Sequence, residues 1–255
     1  MWIDTHCHLN DPDFEADCPD VIAGALEAGV GRMIVAGYDL ESSRRAVELA
    51  GLYEPVYAAV GIHPHDAKVW GDNIEVELRE LLTGRKVVGL GEIGLDYHYN
   101  YSSKEEQLRA FREQLQIAKE VDKPVIIHNR EAHHDTLQVL TEVKPGSAGG
   151  VLHCFAGSGE TAIQCLALGF YISFAGPLTF PNADKLRQVA AGIPLDRILV
   201  ETDSPYLSPH PLRGRRNEPA RVGLVGAKLA ELRGMTVEEV QNITTVNARR
   251  LFHIV

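Results

Sequence analysis

The chain's ionisable residues concentrate at the ends of apolar runs. His6 and His8 follow WIDT, His63 and His65 follow VYAAVGI, and Glu92 follows VVGLG. His128 closes PVII, His153 closes GVL, and Glu201 and Asp203 close RILV. In Asp4-Thr5-His6-Cys7-His8 the imidazoles are two residues apart, and alternate side chains of a strand point the same way. Both can therefore converge on one ion. Alone, such a pair also fits two hydrogen-bonded core histidines. Glu92, His128, His153 and Asp203 on other runs favour a cation, because so many buried titratable groups need one to offset their desolvation. One centre cannot use four imidazoles and two carboxylates and keep an open position. Two centres about 3.5–4 Å apart can, polarising an electrophile and activating water. The expected partition puts His6, His8, Asp203 and Glu92 on one ion, and Glu92, His128 and His153 on the other. Glycines flank Glu92 and leave room for close backbone approach. Asp4, deeper on the first run, is expected to support a ligating histidine.

The elements that must position these groups are strands. Eight short β-branched runs, near 2–6, 32–37, 55–64, 86–94, 124–129, 150–155, 170–175 and 197–203, start 20 to 38 residues apart. That spacing suits strand–helix–strand units with a parallel sheet, and eight of them point to an α/β fold of the (β/α)8 TIM-barrel type. Such barrels keep their chemistry at the C-terminal ends of the strands. Between the runs, Ser103 and Glu106 form a capping box, and Leu108, Phe111, Leu115, Ala118 and Val121 make an apolar stripe. Thr236 and Glu239 cap the last helix, with Val240, Ile243, Val246 and Phe252 expected on one side. Segments 20–29, 42–50, 73–82, 159–168 and 183–191 read as further helices. No linker divides the chain, so a single barrel domain over 1–255 is expected.

Composition excludes several classes. With 25 basic and 35 acidic residues the formal charge is −10, which disfavours a protein that coats duplex nucleic acid non-specifically. No run of 18 apolar residues suggests a membrane span. The first 15 residues lack the pattern of a secretory signal. Cys7, Cys18, Cys154 and Cys165 form no CxxC, so reduced thiols and a cytoplasmic protein are expected.

The motifs IDTHCHL (3–9), GIHPH (61–65), GLGEIGLDYH (89–98), PVIIHNREA (124–132), LHCFAGS (152–158), ETDSPYL (201–207) and GRRNEP (214–219) run in order along the chain. Together with VNARRLF (246–252), they resemble the TatD family of metal-dependent deoxyribonucleases. The resemblance implies an amidohydrolase-like barrel that binds one to three divalent metals and cleaves DNA phosphodiesters, commonly from the 3′ end. It implies metal ligands at His6, His8, Glu92, His128, His153 and Asp203. Asn129 stands where the family often has serine or cysteine. No counterpart of the carboxylated lysine of other amidohydrolase branches is present, since Lys86 lies at the wrong end of its strand.

For that chemistry Asp203 is expected to orient or deprotonate a metal-activated water, and Glu201 to relay a proton or hold a ligand in place. His65, Arg130, Arg215, Arg216 and Asn217 are candidate substrate contacts, because guanidinium groups fit phosphate oxygens. Tyr97, Tyr99 and Tyr101 alternate beyond Glu92 and are candidates for base stacking, against simple wall packing. His133 and His134 are expected to face water. Two divalent cations are expected, magnesium or manganese for activity, with zinc or nickel compatible with the imidazoles. The expected partner is DNA with single-stranded ends, with no membrane and no obligate protein partner. The alternatives are a hydrolase of a small phosphoester, ester or amide, and a non-catalytic metal-stabilised binding protein.

Overall fold

The computed structural model describes residues 1–99, 101–144 and 146–254. Its strands are β1 (Trp2–Cys7), β2 (Val30–Ala36), β3 (Val56–Val60), β4 (Val87–Asp96), β5 (Val125–Arg130), β6 (Gly150–Leu152), β7 (Tyr171–Phe174) and β8 (Ile198–Val200). The described helices are α1 (Cys18–Glu27), α2 (Leu40–Leu52), α3 (Asp72–Leu82), α4 (Lys104–Glu120), α5 (His133–Val143), α6 (Gly159–Ala167), α7 (Asp184–Gly192), α8 (Val222–Arg233) and α9 (Val237–Phe252). The strands lie in sequence order and each neighbouring pair from β1 to β8 is parallel. Past the end of β8 the chain closes the ring onto β1: Asp203 N–H donates to His6 O (2.9 Å) and His8 N–H to Ser204 O (2.7 Å). This is the expected (β/α)8 TIM barrel. Among the described residues no helix is long and apolar enough to cross a membrane.

Helix α4 begins as its sequence dictates. Ser103 accepts from the Glu106 amide, and the Glu106 carboxylate accepts from Ser103 N–H at 2.7 Å. Phe111, Leu115 and Ala118 are buried, while Val121 caps the helix and is exposed. Thr236 and Glu239 form the same box for α9. Its buried face differs from the expected stripe, because Val246 is exposed and the core contacts run through Val240, Thr244, Asn247, Ala248 and Leu251. Polar residues occupy that face for a reason: Asn247 donates to the carbonyls of Leu195 and Ile198 and ties α9 to the start of β8. Helix α8 had no sequence expectation. Small and apolar residues surround its axis, and a Cβ on Gly226 would sit 2.1 Å from the Trp2 ring.

The barrel interior is apolar at its base, where Ile34, Ala59, Ile126, Val151 and Leu199 cluster with Leu251, Phe252 and Ile254 from the end of the chain. Two residues beyond Ile126, Val151 and Leu199 stand His128, His153 and Glu201. The pleat thus carries the strand from apolar filling to ionisable groups. Strands β1 and β4 depart from regular pairing between Asp4 and Cys7 and between Leu90 and Ile93.

Candidate metal centre

All six candidate ligands converge at the C-terminal mouth of the barrel. His6 Nε2 and His8 Nε2 are 3.0 Å apart. Asp203 Oδ1 lies 3.5 and 3.4 Å from these two nitrogens, and Glu92 Oε2 lies 3.4 and 3.5 Å from them. The other Glu92 oxygen, Oε1, faces His128 Nδ1 at 2.7 Å and His153 Nε2 at 2.8 Å. One carboxylate therefore turns an oxygen to each of two donor groups. Glycines make room for it: a Cβ on Gly91 would lie 2.6 Å from Ile126 Cβ, and Gly94 has φ +144° with its Cβ position 2.0 Å from His128 O.

These donors fit a divalent cation. His8 Nδ1 donates to Ala36 O at 3.0 Å, which fixes the tautomer and leaves a lone pair on Nε2. That lone pair points at His6 Nε2 in a buried site, where two facing imidazoles and two carboxylates need a positive charge between them. Donors held about 2.0–2.2 Å from one ion stand roughly 3–3.5 Å from each other, as these do. Mixed nitrogen and oxygen donors suit divalent metals. Three groups have ion-binding spacing: His6–His8–Asp203, His6–Glu92–His153 and His63–Glu92–His128. The structure accommodates one or two divalent metals here.

The third group brings in His63, which the sequence partition omitted. Its Nδ1 accepts from His65 N–H at 3.1 Å, so its Nε2 carries the proton and points to Glu92 Oε1 at 3.5 Å. Burial pulls its imidazole down to about 4, so the ring is neutral beside Glu92. Burial opposes the charge on Glu92, but the imidazoles, His153 foremost, hold its carboxyl well below the usual range. Asp203 is also lowered against its burial, through its bond to His8. It has φ +57°, a left-handed backbone that aspartate tolerates and that is frequent at functional sites.

Other carboxylates brace the centre. Glu201 is fully buried; its Oε1 accepts from Cys154 N–H (2.7 Å) and lies 3.2 Å from His153 Nδ1. This fixes the ring whose other nitrogen faces Glu92. Asp96, absent from the sequence expectations, lies 3.2 Å from His128 Nε2 and 2.9 Å from His65 Nε2 through its Oδ2. Its parity with Glu92 along β4 was the available signal. Asp4 does not touch a histidine ring. It accepts from Thr202 N–H (2.9 Å) and Thr202 O–H (2.6 Å), and burial pushes its carboxyl up to about 8. It joins β1 to the segment bearing Glu201 and Asp203.

The candidate substrate contacts separate. His65 is partly exposed beside Asp96, Arg130 is exposed at the end of β5, and Arg215 is exposed with no side-chain partner among the described residues. Arg216 is held by two bonds to Asp17 (3.0 and 2.6 Å). Asn217 is 0% exposed and donates to Thr202 O and Tyr206 O (both 2.8 Å), which corrects its expected contact with substrate: it stitches the loop after β8. His133 is half-buried, accepting from the Asn129 amide at 2.8 Å, rather than facing water.

A (β/α)8 barrel with this imidazole–carboxylate cluster at its strand ends is a metal-dependent hydrolase. The family model described as TatD related DNase matches residues 3–253, and the chain belongs to that family. It is 47% identical over 254 residues to the uncharacterized metal-dependent hydrolase YabD of Bacillus subtilis, covering 100% of both chains. It is 37% identical to the 3′–5′ ssDNA/RNA exonuclease TatD of Edwardsiella piscicida, covering 99% of each. Among solved structures, YJJV, a TatD homologue from Escherichia coli, superposes with a TM-score of 0.94 at 37% identity, covering 100% of this chain and 98% of the other.

Proposed function

We propose that the chain is a metal-dependent exonuclease that hydrolyses DNA phosphodiester bonds from the 3′ end of single strands. The carrying observation is the cluster of four imidazoles and two carboxylates packed within hydrogen-bond range at the barrel mouth. The exonuclease relative, matched along its length, supports the substrate and the polarity. In this reading His6, His8, Glu92, His128, His153 and Asp203 hold two divalent cations, magnesium or manganese for activity. When bound, the cations supply Lewis acidity toward phosphoryl oxygens and lower the pKa of water.

The protein's own groups do the rest. Asp203, whose side chain is 13% exposed against 5% for Glu92, orients the attacking water and takes its proton. Glu201 positions His153. His65, Arg130 and Arg215 receive the phosphates, while Arg216 and Asn217 hold the loop from which Arg215 projects. All 255 residues act as one barrel unit. The free thiols of Cys7, Cys18, Cys154 and Cys165 support a reducing, cytoplasmic setting.

The test is degradation of end-labelled linear single-stranded DNA beside a covalently closed circle, with manganese and with chelator. Metal-dependent shortening from the 3′ end, with the circle intact, is the expected result. Equal cleavage of the circle refutes action at ends.

A further inference from the structure

The turn after β4 carries three tyrosines with two different surroundings. Tyr97 belongs to the wall: its hydroxyl donates to Asp135 at 2.7 Å and the Lys104 ammonium lies 4.0 Å over its ring. Tyr99 and Tyr101 are 39% and 58% exposed. Their rings are nearly parallel, 7° apart with centroids 5.6 Å from each other, and the Arg130 guanidinium lies 4.7 Å over Tyr99. Aromatic area left partly in water marks a contact surface when it is ordered and grouped.

This pair is anchored to the metal centre. His65 sets its ring edge-on to both tyrosines, with centroids at 5.5 and 4.9 Å. The same His65 bonds Asp96 Oδ2, which also reaches His128. Asp96 Oδ1 accepts from the backbone N–H groups of His98 and Tyr99, both at 2.9 Å. One buried carboxylate thus fixes a candidate metal ligand and the start of the aromatic turn. The His65 and His128 rings are 6.4 Å apart, so the aromatic surface begins one side chain away from the centre.

We propose that Tyr99 and Tyr101, with Arg130, form a platform on which an unpaired nucleobase stacks while the adjoining phosphodiester lies at the metal centre. The proposal rests on the nuclease reading and deepens it. Every base has a π-face, so stacking on tyrosine tolerates sequence. Arg130 adds a planar cation that both stacks and attracts phosphate. A base must leave its own neighbours to use the platform, which selects frayed or single-stranded ends over paired ones.

The test uses the metal-loaded protein and single-stranded oligonucleotides with phosphorothioate linkages, carrying 2-aminopurine at the last or next-to-last position. Saturable quenching of 2-aminopurine by the wild type is expected at one of these positions, and its loss in Tyr101→Ala. On cleavable DNA that variant should raise KM on the order of 10-fold, within the range for removing one stacked base, and Tyr101→Phe should restore it. An abasic residue at the same position should weaken wild-type binding by a similar factor and cost Tyr101→Ala nothing further. The exposed ring leaves the core intact when removed, and a melting curve checks this. The platform is overturned if Tyr99→Ala and Tyr101→Ala discriminate base-bearing from abasic ends as the wild type does. Failure of the nuclease reading is separately visible as a wild type that cleaves no oligonucleotide, and it overturns both.

Discussion

Replacing Glu92 by glutamine keeps the side chain's shape and removes the charge toward which five imidazoles turn. Its two oxygens stand 2.7–3.5 Å from ring nitrogens of His6, His8, His63, His128 and His153. The amide retains one acceptor and places an NH2 donor against the other donor group. Losing a residue that merely orients a ligand weakens metal binding about 10–100-fold; losing the carboxylate between two donor groups should reach at least the upper figure. At a cation concentration 100 times Kd, binding adds about 2.7 kcal/mol to the folded state. For a chain of this size that is roughly 5 °C in Tm, at about 2 °C per kcal/mol. A hundredfold weaker site leaves about 0.4 kcal/mol, under about 1 °C. Thermal melts across a manganese titration, run beside cleavage assays, read both effects. A Glu92→Gln protein that keeps the full shift and more than about a tenth of wild-type activity, against an expected loss of at least about 100-fold, would refute the reasoning.

Asp203→Asn should lower kcat by about 100-fold or more, the usual scale for a general base, while its metal-free Tm stays near that of the wild type; a kcat within a few-fold removes Asp203 from the chemistry. Asp4→Ala strands the Thr202 N–H in a fully buried site and leaves the Thr202 O–H only Ser204 Oγ at 3.1 Å, so urea unfolding should show a loss of about 1–3 kcal/mol, and an unchanged midpoint contradicts the bracing role. Burial raises Cys18, pushes Cys165 up to about 12, and holds Cys7 and Cys154 well above the usual thiol value. Because the thiolate is the reactive form, alkylation of the native protein at pH 8 should be slow and accelerate as pH rises, with all four sites labelled on unfolding; rapid native labelling would count against this. Chelation should stop hydrolysis without unfolding the barrel, because the candidate ligands sit on, or just beyond the ends of, strands that pair through their own backbones; collapse of the circular dichroism signal at 25 °C would show otherwise.

The eight strands were legible because each is a short branched run, and the barrel followed from their number. Helices α4 and α9 were legible from the four residues of their capping boxes. Helix α8 was not, since small apolar residues all round an axis leave no periodic stripe. The face of α9 was misjudged because Thr244 and Asn247 are buried for hydrogen bonding, which hydrophobic spacing does not register. The six converging candidate ligands were visible as ionisable residues ending apolar runs. His63 and Asp96 were harder, because their parts depend on contacts between loops: a ring nitrogen that accepts from His65, and a carboxylate shared between His65 and His128. Arg216 and Asn217 show the converse. Their types suggest phosphate contacts, yet Asp17 and the Thr202 and Tyr206 carbonyls, distant or adjacent in sequence, decide what they do.

The joint between the first and last strands has a consequence for biosynthesis. His6 and His8 are synthesised early relative to their partners: Asp203 and the Thr202 that Asp4 grips follow nearly two hundred residues later. Contacts so far apart in the chain form slowly and late. The nascent polypeptide therefore lacks a finished cation site until the segment after β8 is made, and acquires a competent centre only when that segment meets β1.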